Sequence, residues 1–314
     1  MTGDRPPSSA DGRFAPSPTG ALHLGNLRTA LLAWLFARSV GARFLLRMED
    51  LDSARVRPGI AERQLDDLRA IGLDWDEPVV HQSGRLELSR EGHCTARGRR
   101  ASLRLLLHPC RDPRRLVGSA RAAACVSGHL PQALARRADR ARGLRRPPAL
   151  RFRPHEARVA FDDALLGRYE AAVDDFVVRR GDGTPAYNLA VIIDDAAQGI
   201  GQVVRGADLA DSTPRQLLLT RALGLAEPSF AHVPLVLGPD GARLAKRHGA
   251  VTLAERQAAG ESPAAVRAWL AHSAGLAEAN EDVDPHELVR RFDPARIPAE
   301  ATRLEASVLS PARA

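Results

Sequence analysis

Between Arg13 and Ile71 the chain alternates strand, helix, strand and helix patterns, and this alternation restricts its fold more than any other feature. Arg13-Phe14-Ala15 is a short extended run closed by Pro16-Ser17-Pro18-Thr19-Gly20. An apolar helical run follows from Leu27 to Ala37, and Gly41 to Met48 has a second strand pattern. Ile60, Leu65, Leu68 and Ile71 share one face of a helix over Ile60 to Ile71. Such alternation predicts an α/β unit with parallel strands.

The later chain has a similar character. Asp175 to Arg180 and Ala186 to Ile193 have strand patterns around a Gly181-Asp182-Gly183 turn. Gln202 to Arg205 is another short strand, and Thr213 to Leu223 a helix with Pro214 in its first turn. His232 to Leu237 is a strand, and Pro239-Asp240-Gly241 a turn. From Thr252 onward the pattern is helical and rich in Ala, Glu and Arg. Residues 1–11 read as a disordered lead. The 314 residues suffice for two average domains. No apolar run reaches the roughly 18 residues of a membrane helix, and the start carries no apolar signal segment. Three cysteines, an odd number, do not suggest a disulfide framework, and the expected setting is cytoplasmic, with no membrane partner.

A formal charge of +7 invites a nucleic-acid reading, but the charge is local. Residues 92–148 hold 14 Arg and 2 Asp with no Glu or Lys, a local +12 that leaves −5 on the rest of the chain. Overall basicity therefore says little about partners. Arg occurs 44 times and Lys once, at Lys246, the bias that a genome rich in G and C produces. Taken alone, Lys246 is either a chance survivor on a solvated surface or a position with a task.

Three groups of residues can carry chemistry. Pro16 to Asn26 joins the first strand to the first helix, where free amides and the helix dipole favour phosphate and glycine admits close backbone approach. His23 there can donate to a phosphate oxygen and stabilise transition-state charge. The plainer alternative is a turn capped by Thr19, with His23 merely packed. Arg243-Leu244-Ala245-Lys246-Arg247-His248-Gly249 offers Lys246 and Arg247 to a triphosphate, or is only a solvated basic loop. Arg13 begins a strand, Glu49 and Arg205 end strands, and Tyr187 lies in a strand pattern. Ligands of open α/β sheets bind beyond the carboxyl ends of strands. A carboxylate with arginines suits a zwitterionic amino acid bearing an extra negative charge. Surface ion pairs and a core tyrosine are the alternatives.

Together these segments resemble class I aminoacyl-tRNA synthetases of the glutamyl type. His23-Leu24-Gly25-Asn26 is similar to that class's histidine-glycine motif. Arg243-Leu244-Ala245-Lys246-Arg247 is similar to its lysine loop, with Ala245 where the family has a small polar residue. The only lysine falls on the family's ATP-binding position. Gly12 to Gly20, Arg47 to Asp52, Tyr187 to Asp195 and Val203 to Leu209 complete the pattern, which spans residues 12–90 and 149–250.

The resemblance implies a Rossmann-like α/β catalytic domain on a parallel sheet. Its halves, 12–91 and 149–238, would flank an inserted segment, 92–148, and a lysine loop and helical C-terminal part, 239–314, would follow. Arg13, Phe14, Ala15, Pro16, Ser17, Glu49, Tyr187 and Arg205 would hold glutamate. His23, Gly25, Asn26, Lys246 and Arg247 would hold ATP with its Mg²⁺. His23 and Lys246 would be catalytic, as the glutamate carboxylate attacks the α-phosphate. About 65 residues follow the lysine loop, so the expected likeness is to the shorter glutamyl-queuosine branch. That branch attaches glutamate to queuosine in the anticodon loop of tRNA(Asp). The expected partners are therefore tRNA(Asp) carrying queuosine, L-glutamate and ATP, with the protein a monomer. A truncated glutamyl-tRNA synthetase charging tRNA(Glu) and a non-catalytic RNA-binding relic are the rival readings.

Residues 92–148 depart from the family. The resemblance implies a zinc site there, Cys-x-Cys and then Tyr-x3-Cys. Cys94, Cys110 and Cys125 stand 16 and 15 residues apart with no close pair, so no metal ligand is expected from the chain as written. Codons can be chosen for Ser102 to Asp112 so that reading one nucleotide later gives ACDCFCTRAEI, and for Val126 to Leu130 so that the same shift gives YPGTC. The zinc ligands would then replace Leu105, Leu107, Val126 and Leu130. A frameshift accounts for the local charge and the missing Tyr and Phe; a basic RNA-binding segment is the alternative. The DNA between codons 88 and 150 decides between them.

Overall fold

The computed structural model describes residues 10–87, 149–244, 248–249 and 251–305. Ala245, Lys246 and Arg247, the three cysteines, the insert 92–148 and the four positions of the frameshift reading lie outside the described residues.

The predicted alternation opens the fold. β1 (Gly12–Phe14) is buried throughout and pairs in parallel with β2 (Phe44–Met48), which pairs in parallel with β3 (Val80–His81). α1 (Leu24–Ser39) joins β1 to β2, and α2 (Ile60–Ala70) lies between β2 and β3 in the chain. The N-cap of α1 is His23, not Thr19: its ring accepts from the Asn26 amide, and the Asn26 side chain accepts from the His23 amide. Asp11, the last residue of the expected lead, is buried against Arg43.

The second half begins with β4 (Leu150–Phe152), β5 (Arg158–Asp163), β6 (Gly167–Ala172) and β7 (Phe176–Arg179). β5 and β6 form an antiparallel hairpin, and β4 pairs antiparallel with β7. α3 (Tyr187–Gln198), β8 (Gln202–Gly206), α4 (Thr213–Leu223) and β9 (Ser229–Val233) follow. β8 and β9 are parallel, and the strand order is β6-β5-β9-β8. The two sheets meet where β8 lies beside β1: the Gly201 and Gln202 amides donate to the Asp11 carbonyl at 3.0 and 3.1 Å. The chain leaves β1 toward β2 and leaves β8 toward β9, in opposite directions, which creates a crevice at the strands' carboxyl ends.

Two sequence expectations are corrected. Ala186 to Ile193 is not a strand: residues 187–198 form α3, capped at its end by Gly199 in the left-handed region. Seven successive residues of α3, Leu189 to Asp195, are buried. The apolar run Leu189 to Ile193 has no polar break, and its short β-branched stretch reads as a strand. His232 to Leu237 is not one strand but two. β9 stops at Val233, and β10 (Val236–Leu237) begins after Pro234, whose missing N–H breaks the ladder.

The C-terminal part contains α5 (Leu253–Ala258), α6 (Pro263–Ser273) and α7 (Pro285–Arg290), and adds β11 (Thr302–Arg303) in parallel with β10. Leu270 and Leu288 join Leu27, Leu31 and Trp34 of α1 in one core. Arg28 binds this part to the sheet. Its guanidinium donates to the Ser273 and Pro234 carbonyls and to Thr302 Oγ1, and burial lowers its pKa only to about 10, so it stays charged.

Candidate active site

The crevice is a cleft of about 490 Å³. Arg13 to Ser17 line it from β1 and the turn that follows; His23, Gly25 and Asn26 from the start of α1; Glu49 from just past β2; Tyr187 from the start of α3; and Arg205 from β8. Every described residue that the sequence assigned to glutamate or to ATP thus borders one space.

At one end stands His23. Its Nδ1 accepts the Asn26 amide at 3.2 Å, so the proton of the neutral ring resides on Nε2. Burial, helped by the charge of Arg243, lowers its pKa to about 4. The side chain is a neutral N–H donor at a helix N-terminus, suited to a phosphate oxygen. Gly25 keeps the helix start open, since a Cβ there would crowd the imidazole at 3.1 Å.

The residues flanking the lysine position are anchored at this end. Arg243 borders the cleft and pairs with Asp208 at 2.8 Å. On the other flank, the His248 ring lies so close to Gly238 that a Cβ there would meet it at 2.6 Å. The Val251 carbonyl accepts from the Leu24 amide at 2.8 Å, and Thr252 bridges His23 backbone to backbone.

At the other end the charges are buried. Arg13 donates from Nε and Nη2 to the Asp195 carboxylate, both at 3.2 Å, and Arg47 Nη1 reaches the same carboxylate at 2.7 Å. Although burial opposes it, these two arginines hold the Asp195 carboxyl below its ordinary value. Glu49 lies 3.5 Å from Arg47, and burial raises its carboxyl against the pull of Arg47 and Arg13. A bound ammonium would supply the counter-charge that Glu49 lacks. Arg205 donates from Nε to His232 Nε2 at 3.1 Å and from Nη2 to Thr213 Oγ1 at 2.7 Å, while its buried Nη1 has no hydrogen-bond partner. Desolvation within the cleft, and then Glu49, raise the Tyr187 phenol, so it stays protonated beside Arg205. Gln64 of α2 holds the turn after β1, donating to the Ser17 and Gly20 carbonyls at 3.1 and 2.7 Å.

Arg13 thus borders the cleft as expected, and it also pairs with Asp195, which Arg47 shares. Arg47, Asp195, Thr213, Gln64 and His232 received no role from the sequence. A signal existed for two of them: Arg47 interrupts Phe-Leu-Leu-Arg-Met, and His232 interrupts Phe-Ala-His-Val. Lone polar residues in buried strands need a partner. Among the described residues no group of three or more His, Cys, Asp or Glu is placed to hold a metal ion.

The sequence matches the catalytic domain of class I tRNA synthetases (E and Q) over residues 10–91 and 126–310, with a break inside the Arg-rich window. It is 55% identical over 299 residues to a protein of Nocardia farcinica named glutamyl-Q tRNA(Asp) synthetase, covering 92% of this chain and 91% of that one. A protein of the same name from Symbiobacterium thermophilum is 49% identical, with 95% and 97% covered. Among solved structures, a glutamate tRNA ligase from Elizabethkingia meningosepticum in complex with its amino acid is similar, with a TM-score of 0.77 and 28% identity. That likeness covers 96% of this chain and 68% of the other.

Proposed function

We propose, from the premise that this chain belongs to the class I tRNA synthetase (E and Q) catalytic-domain family, that it activates L-glutamate with ATP and transfers it to queuosine in tRNA(Asp). The observation that carries the reading is the pairing of two unsatisfied charges in one cleft. Glu49, ion-paired only at 3.5 Å with an Arg47 that Asp195 also holds, borders the cleft, and Arg205 has a buried Nη1 without a hydrogen-bond partner, while His23 stands in the same space. Glutamate fits that pattern, with an ammonium for Glu49 and a carboxylate for Arg205 and Tyr187. Arg13 serves by holding Asp195, and through it Arg47, rather than by spending its own charge on substrate.

A carboxylate oxygen of glutamate attacks the α-phosphorus of ATP. The new P–O bond forms as the bond to the bridging β-oxygen breaks, and pyrophosphate leaves with the electron pair. His23 Nε2–H, at the N-terminus of α1, donates to the phosphates, and Lys246 adds the cationic charge. Catalysis here is positioning and neutralisation. The activated carbonyl then passes to queuosine and AMP leaves. Mg²⁺ would accompany ATP, held mainly by its phosphates. Zinc has no donor set among the described residues, and no step runs through it. The reading takes the protein to act as a monomer. No helix among the described residues is long and apolar enough to cross a membrane.

Glutamate-dependent ATP–pyrophosphate exchange, followed by transfer of labelled glutamate to tRNA(Asp) carrying queuosine, tests the reading. Exchange with transfer to that tRNA is the expected result. Charging of tRNA(Glu) at its 3′ end in its place, or no exchange from folded protein, overturns it.

A further inference from the structure

We propose that His232 is the positioning residue of the amino-acid end: a neutral imidazole, fixed by Asp163, that holds Arg205 in place without neutralising it. The proposal rests on the reading that Arg205 takes a carboxylate of the substrate. Three buried arginines stand at this end of the cleft. Arg13 and Arg47 share the Asp195 carboxylate, and Arg47 also lies 3.5 Å from Glu49. The side-chain hydrogen-bond partners of Arg205, His232 and Thr213, carry no formal negative charge.

The hydrogen bonds define the protonation of His232. Its Nδ1 lies 2.6 Å from the Asp163 carboxylate, both side chains being inaccessible to solvent, so Nδ1 carries the proton. Nε2 is then a bare lone pair, which accepts Arg205 Nε–H at 3.1 Å. Thr213 Oγ1, also 3.1 Å from Nε2, accepts from Arg205 Nη2. Asp163 in turn accepts from the amides of Leu165, Leu166 and His232, so its charge is satisfied on the far side of the imidazole from Arg205. The ring also stacks on Phe230, 6.0 Å between centroids and 11° from parallel, and the Arg205 guanidinium lies over the same Phe230. A carboxylate at position 232 would satisfy Arg205 from within the protein and compete with the ligand. An apolar side chain would leave Nε unheld. The neutral imidazole, together with Thr213, fixes two sides of the guanidinium and leaves both its charge and Nη1 for the ligand.

Two substitutions separate this role from simple packing. In His232→Asn the amide reaches the Nδ1 position and keeps the contact with Asp163, but the acceptor for Arg205 is gone. In His232→Gln the amide oxygen reaches the Nε2 position and restores that acceptor. Glutamate-dependent exchange should show KM for glutamate raised about ten- to a hundred-fold in H232N, with KM for ATP little changed, and recovered to within a few-fold of wild type in H232Q. Equal losses in both variants, or a normal glutamate KM in H232N, overturn the proposal. Arg205→Gln is the companion. If it leaves the glutamate KM unchanged, the underlying reading of Arg205 is wrong; if it raises the KM while H232N does not, only the role of His232 is wrong. ¹⁵N NMR of the imidazole in the unmodified protein tests the proposal independently of how the variants fold. It should report a protonated Nδ1 and a bare Nε2 at neutral pH, and a protonated Nε2 overturns the assignment.

Discussion

The two ends of the cleft are built on opposite electrostatic plans. At the amino-acid end, Arg13, Arg47 and Asp195 form a buried ion network before any ligand arrives, and one cation, Arg205, is kept out of it. At the end proposed to take the phosphates, the described groups are a neutral imidazole at a helix start and the exposed Arg243, which pairs with Asp208. The difference follows from what each end must bind. A small zwitterion is selected by fixed, desolvated charges, which need internal partners to fold at all. A triphosphate carries so much charge that donors and cations reached from the surface suffice, and neutrality at His23 avoids a buried cation in the empty cleft.

The largest expected effect tests the pre-assembly of the amino-acid end. Asp195→Asn leaves Arg13 and Arg47 buried without their shared carboxylate, and should cost about 3–5 kcal/mol of stability. Urea unfolding with an unchanged m-value reads this as a lowered midpoint. A wild-type midpoint would mean that the network forms only around its ligand. Lys246→Ala comes next and acts on the phosphate end alone. Exchange should fall roughly a hundred- to a thousand-fold, while KM for glutamate stays within a few-fold of wild type. Near-normal exchange would show that the neutral donors of α1 suffice without it.

How far each end was legible in the sequence follows the same division. The β1-to-α1 junction was readable because Pro16-Ser17-Pro18-Thr19-Gly20 and the helical run after it are local signals, and every described residue placed there does line the cleft. The ion network was not. Arg13 and Asp195 are 182 residues apart, and their pairing was hidden because Asp195 lies toward the end of a helix whose apolar sequence reads as a strand. His232 was hidden for a related reason. Its acceptor role exists only because β5, β8 and β9 bring Asp163 and Arg205 to either side of one ring.

The third effect concerns pH. His23 titrates near 6.5 when unfolded and at about 4 when folded. Between those values the unfolded chain binds a proton that the folded chain refuses, so stability is full above about pH 6.5 and is lost as pH falls toward 4, by up to roughly 3 kcal/mol. Burial lowers His232 as well, so the wild-type slope contains both residues. His23→Gln removes one of the two titrations and should flatten the loss over that window. Parallel curves for wild type and variant would mean that His23 is protonated in the folded cleft, and the phosphate end would then carry a buried cation like the other.

The smallest effect asks whether the phosphate end is positioned by the helical C-terminal part. Thr252 caps α5 by accepting the Glu255 amide, while Glu255 accepts from the Val251 and Thr252 amides. The same short backbone stretch pairs with His23 and Leu24. Thr252→Ala should cost about 1 kcal/mol through the lost cap. If the cap also holds the strand segment against His23, KM for ATP should rise a few-fold while KM for glutamate does not, because no hydrogen bond among the described residues joins Thr252 to Arg13, Arg47 or Arg205. Equal shifts in the two constants would mean that the ends are coupled through the sheet, and the separation into a charged end and a neutral end would describe composition rather than mechanism.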